Sequence, residues 1–158
     1  MRVPAIVGAL TACIGVLASI LPLAAETQPW PWIDLKTPDP ALALLSRVDG
    51  LTVTPAGQTL KISVEAQAPT PKFTELQLTP RIGDPKDLIF AFDVRGRTPQ
   101  DFVAQVLTPV TIDAEYSDVP LVSVGVVEVY AQENCQAFSL KDNKAVECTM
   151  KPGSQQVP

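Results

Sequence analysis

Between Thr59 and Ala68 every second side chain is apolar: Leu60, Ile62, Val64 and Ala66 alternate with Lys61, Ser63, Glu65 and Gln67. Successive side chains of an extended chain point to opposite faces. This spacing therefore predicts a strand with one face in a core and the other in water. The same period recurs downstream. Leu76 and Leu78 alternate with Glu75, Gln77 and Thr79. Leu88, Phe90, Phe92 and Val94 share a face opposite Ile89, Ala91 and Asp93, and Val110, Ile112, Ala114 and Tyr116 alternate with Thr111, Asp113 and Glu115. Residues 121–131 are the most apolar run after the N-terminus, and the change of phase at Gly125 predicts a bulge or a strand buried on both faces.

The separators are turn chemistry: Pro55-Ala56-Gly57, Pro69-Thr70-Pro71, Gly83-Asp84-Pro85, Arg95-Gly96-Arg97 and Asp118-Val119-Pro120. Six Thr-Pro pairs, beginning at residues 37, 54, 70, 79, 98 and 108, hold the residue before each proline extended and block ladder pairing at strand ends. Seven or eight short strands result. The expected fold is mainly β, an antiparallel two-sheet sandwich over residues 51–150. No interval has the length and period of a crossover helix, which excludes a doubly wound parallel sheet. The pattern resembles small immunoglobulin-like modules of exported proteins. It lacks the buried Trp and inter-sheet Cys pair of antibody domains, and a fold resemblance assigns no function.

Residues 26–50 read as a proline- and tryptophan-rich leading segment followed by one short helix. Asp39 is placed to N-cap it, Pro40 fits its first position, residues 41–45 are good helix formers, and Gly50 can close it. Thr98-Pro99-Gln100-Asp101 can start a second, briefer helical turn before Phe102. Residues 151–158 are a polar tail, expected to fray.

The N-terminus reads as an address. Arg2 precedes residues 5–21, which are small or apolar apart from Thr11 and Ser19, and Pro22-Leu23-Ala24-Ala25 ends the run. This is the layout of a secretory signal over residues 1–25. Its removal leaves 133 of the 158 residues, enough for one domain with a core. Two other fates fit the residues: retention as an anchor, since the run is long enough to span a bilayer, or lipidation at Cys13 of Leu10-Thr11-Ala12-Cys13. The expected location is secreted or periplasmic.

Once Arg2 is removed, 11 Lys and Arg face 17 Asp and Glu, a net charge of −6. That balance argues against nucleic acid and anionic lipid as partners. The expected partner is another exported protein, and a membrane only if the N-terminal segment is retained. Cys135 and Cys148 are the only later cysteines, and in an exported chain they are expected to pair, stapling a hairpin that turns through Lys141-Asp142-Asn143-Lys144.

The chain has no histidine, which removes the usual general base, the histidine-dependent nucleophile pairs and the commonest zinc ligand. No cofactor-binding loop is present and no cofactor is expected. A carboxylate pair of the kind glycosidases use remains open, with Asp113, Glu115 and Asp118 as candidates. The same oxygens form a weak calcium candidate, although Asp113 and Glu115 fall on the solvated face of a strand. Trp30 and Trp32, two apart, can present a platform or clamp the leading segment to the domain. Arg95 and Arg97 can hold an anion or pair with Asp93 or Asp101. The expected function is a non-catalytic interaction or structural module. The alternatives are a carboxylate-dependent glycan hydrolase and a small inhibitor of an exported hydrolase.

Overall fold

The computed structural model describes residues 39–81 and 88–149. Among them are nine strands: β1 (Leu42–Leu44), β2 (Arg47–Ala56), β3 (Thr59–Ala68), β4 (Thr74–Pro80), β5 (Ile89–Arg97), β6 (Thr108–Tyr116), β7 (Val126–Tyr130), β8 (Cys135–Ser139) and β9 (Lys144–Val146). They form two sheets. The smaller has the order β2-β3-β6, antiparallel throughout. The larger is built on β5, which carries β4 along one edge. Arg95 and Arg97 pair with β1 as well as with β4, so β1 lies on the opposite edge. That edge is shared with β7, beyond which lie β8 and β9.

The alternation read from β3 is the alternation of burial. Leu60, Ile62, Val64 and Ala66 are at most 2% exposed, and they face Phe90, Phe92 and Val94 of β5 and Val127 and Val129 of β7 in a single apolar cluster. Burying a side chain such as Phe92 contributes about 1.5–3 kcal/mol. The two sheets thus hold together by interdigitated apolar faces, as packed sheets do.

One open side is closed by Asn134. Its side chain accepts from the Val48 N–H and donates to the Val48 carbonyl, both at 2.7 Å. It takes the place of a strand partner where β2 shifts register between Val48 and Gly50.

Several expectations are corrected. Residues 39–50 are not a helix. The Asp39 carboxylate accepts from the Ala41 N–H and its carbonyl from the Leu42 N–H, closing a single turn, after which the chain runs extended as β1 and β2. Asp followed by Pro opens a β-turn as readily as a helix, and pairing of Leu42 to Leu44 with β5 outweighs local propensity. Strands β1 and β2 both begin before residue 51. No helical turn forms at residues 98–101.

The sheets are not wholly antiparallel, because β5 and β7 run parallel from Ile89 with Val126 to Asp93 with Tyr130. A parallel pair needs a long crossover, and here β6 in the opposite sheet supplies it without a helix. At Gly125 two successive N–H groups, those of Gly125 and Val126, donate to the one Leu88 carbonyl, at 2.8 and 3.2 Å, the two-against-one pattern of a bulge. A 3-10 turn at Leu121–Ser123 precedes the strand, and residues 127–131 are then buried on both faces. A Cβ on Gly125 would lie 3.2 Å from that of Leu88, a close approach that suits glycine. Leu88 itself has φ +54 and is 42% exposed, so it sits outside the core face.

Candidate interaction surfaces

The outer face of the smaller sheet carries the expected carboxylates. Asp113 and Glu115 stand two apart on β6, opposite Ser63 and Lys61 of β3. Ser63 Oγ donates to Asp113 Oδ1 at 2.6 Å, and Lys61 Nζ lies 3.4 Å from Glu115 Oε2. With Thr52 and Thr54 of β2 these residues line a shallow depression of about 450 Å³. Asp118 does not line it. It is exposed, with φ +59, on the turn beyond the end of β6. The calcium candidate is therefore divided, and among the described residues no three His, Cys, Asp or Glu are placed to hold a metal ion.

The outer face of the larger sheet is buried and charged. Because Phe92, Val94, Val127 and Val129 point into the core, Asp93 of β5 and Glu128 and Tyr130 of β7 point away from it. They are nonetheless 5%, 0% and 0% exposed. Asp93 Oδ1 accepts from Arg81 Nε and Asp93 Oδ2 from Arg95 Nη2 at 2.8 Å. The Arg81 guanidinium also lies 4.0 Å over the Tyr130 ring, a cation–π contact strengthened by desolvation. Tyr130 donates its hydroxyl proton to Glu128 Oε2 at 2.5 Å. The Thr149 backbone N–H and hydroxyl donate to Glu128 Oε1 and Oε2, each at 2.9 Å. Two buried carboxylates are thereby matched by two cations and three neutral donors, as low-dielectric burial requires.

Arg95-Gly96-Arg97 lies within β5 and not on a loop. Arg95 also donates Nη1 to the Leu42 carbonyl at 3.2 Å. Arg97 makes a two-pronged contact with Glu75, 2.8 Å on each prong, and reaches Asp39 at 3.1 Å. The hydrogen bond from Arg97 lowers the Glu75 carboxyl below its ordinary range. The Ala41 N–H, with Arg97 second among the groups that stabilise the anion, does the same for Asp39. The pairing in turn raises Arg97. Both guanidinium groups are engaged by protein acceptors, Arg95 by Asp93 and Arg97 by Glu75 and Asp39. Glu75 has φ +49 where β4 shifts register between Thr74 and Gln77. The bulge aims its carboxylate at Arg97. Trp30 and Trp32 lie outside the described residues.

Cys135 and Cys148 are bonded, their Cα atoms 6.5 Å apart, and they sit where the β8–β9 register places partners across the hairpin. Among the described residues no helix is long and apolar enough to cross a membrane.

Tyr116 stacks on Phe92 with ring centroids 5.4 Å apart, and burial pushes its hydroxyl up to about 12 from the ordinary 10.0. An unfolded chain would release that proton near pH 10 while the folded chain keeps it, so stability should fall as pH rises from about 10 to 12. Ultraviolet titration of the folded protein is expected to show a phenol transition near pH 12 that is lost in Tyr116→Phe. A normal transition near pH 10 for this residue would contradict the burial.

The crossover between β5 and β6, residues 98–107, has no regular structure; it opens on one Thr-Pro pair, and a second begins β6. Phe102 is 105% exposed, Val106 56% and Leu107 57%. Three of the five exposed large apolar residues among the described residues thus fall on this one loop, and such a cluster marks a contact surface more than a packing accident. The sequence marked residues 98–101 as a turn start but gave no sign that the apolar side chains after it are left in water. Glu128 was legible only as a lone carboxylate in the most apolar run after the N-terminus.

No family model, curated protein or solved structure matches this chain.

Proposed function

We propose that this chain is an exported, non-catalytic interaction module that meets another exported protein, acting after its leader has been removed and in the periplasm or outside the cell. The observation that carries the reading is Phe102, fully exposed with Val106 and Leu107 on the crossover loop. The Cys135–Cys148 bond supports an oxidising compartment. The immunoglobulin-like reading of the sandwich is supported by two facing sheets of short strands, while the parallel β5–β7 pair stands against it.

A glycan hydrolase is the second reading, favoured by Asp113 and Glu115 sharing one depression. Against it, that face is open to water and each carboxylate is already engaged by a β3 side chain. An inhibitor of an exported hydrolase would use the same loop and differ only in its target. Purified protein assayed on peptidoglycan and soluble polysaccharides is expected to release no reducing ends. Turnover abolished by Asp113→Ala or Glu115→Ala would replace the interaction reading with the hydrolase.

A further inference from the structure

Residues 98–107 carry the sequence of a helix that the structure does not form. Thr98 stands where an N-cap would, Pro99 fits the first helical position, and Asp101 falls three residues after Thr98, the spacing of a capping box. Phe102, Val103, Val106 and Leu107 follow at i, i+1, i+4 and i+5. A helix would gather them into one stripe and leave Asp101 and Gln105 on the far side. So short a helix does not repay its nucleation in water unless the stripe is buried against something. In the structure the segment is irregular and the stripe residues are largely in solvent.

We propose that residues 98–107 are a docking segment that folds into a short amphipathic helix in an apolar groove of a partner protein. This rests on the interaction-module reading and names its site and its mode, a helix laid into a groove. The observations favour a protein groove over the other occupants. A bilayer surface is disfavoured because residues 98–107 contain no Lys or Arg and the whole chain carries a net charge of −5, whereas helices that lie on membranes depend on cationic side chains. A second copy is disfavoured because the large apolar residues exposed elsewhere among the described residues are Leu88 and Val122. Both lie at the other end of the sandwich, beside the start of β5 and before β7, far from the stripe they would have to receive. A groove with a neutral or basic rim complements an acidic chain.

The segment is tethered at both ends. Arg97 is fixed by Glu75 and Asp39 on one side, and the Thr108 hydroxyl donates to the Val106 carbonyl at 3.0 Å on the other.

The test places a photoreactive benzophenone amino acid at position 102 of the full chain, and in a parallel sample at Thr111 on the outer face of the smaller sheet, in the cells that make it. Irradiation from position 102 is expected to yield one protein adduct. The affinity of that purified protein for the unmodified chain should fall at least tenfold with Phe102→Asp and with the helix-breaking Gln105→Pro. It should stay within twofold, or tighten, with Gln105→Ala. Circular dichroism and melting of the free variants should match the wild type, since both positions are exposed. Adducts with lipid, adducts with a second copy, absence of any adduct from position 102, or full affinity in Gln105→Pro would each overturn the proposal. An adduct from Thr111 alone would overturn this site and leave the interaction reading standing. No protein adduct from either position would remove both.

Discussion

Asp93→Ala is expected to destabilise the protein by about 3–5 kcal/mol, the cost of stranding buried charge, and to lower the melting midpoint by roughly 15 °C. The Asp93 side chain is 7% exposed, and its partners Arg81 and Arg95 are 6% and 11% exposed. Truncation leaves two guanidinium groups in a poorly solvated setting with their shared counter-charge gone. The pair itself is not the source of so large an effect, because forming it also required desolvating three charges. The penalty comes from removing one member. Asp93→Ala combined with Arg81→Met and Arg95→Met should therefore recover much of the loss. The deficit should also persist in molar salt, which screens exposed pairs far more than buried ones. Chemical denaturation of the single and combined variants checks both statements. A single-variant loss below about 1 kcal/mol, the range of exposed ion pairs, would show that the outer face of the larger sheet is wet.

The second large effect concerns the staple. Cys135 and Cys148 are separated by 13 positions, and closing a ring of that size is worth about 3 kcal/mol through the unfolded chain. A further loss follows in the folded state, because Thr149, next to Cys148, supplies two of the donors to the buried Glu128. Replacing both cysteines by serine should thus lower the urea midpoint by more than the ring term alone. It should also speed amide exchange at residues 144–149 before any other part of the sandwich. Thr149→Val isolates the hydroxyl contribution, at about 1.5–3 kcal/mol for a hydrogen bond to a carboxylate. Equal stability with and without the bond would contradict the capping of Glu128 by this segment.

What the sequence discloses here follows from how local each feature is. Strand β3 was readable to the residue, since an edge-to-edge alternation of Leu60, Ile62, Val64 and Ala66 has one physical solution. The hairpin of β8 and β9 was readable for the same reason, with two cysteines and a turn between them. Residues 39–50 are ambiguous by sequence because Asp39-Pro40 opens a turn and a helix with equal ease. The deciding term is a pairing with Arg95 to Arg97, more than fifty residues away. The parallel β5–β7 contact is equally non-local, and nothing in either strand names its partner.

The charged network was hidden for a different reason. Arg81, Asp93 and Arg95 look like solvated surface residues one at a time, and only the fold puts them beside Glu128 on one covered face. The exposed stripe of residues 102–107 was hidden by the opposite rule. Apolar residues are expected inside, so their exposure carries meaning only once the core is known.

The most direct measurement is the elution of the native protein from a gentle cell extract on a sizing column, compared with the double variant Phe102→Asp, Val106→Asp. The wild type should travel with a partner, larger than the purified chain alone, and the double variant should elute as the free chain with unchanged melting. Identical elution of the two, whether both large or both free, would mean that the crossover loop is not where this protein meets anything.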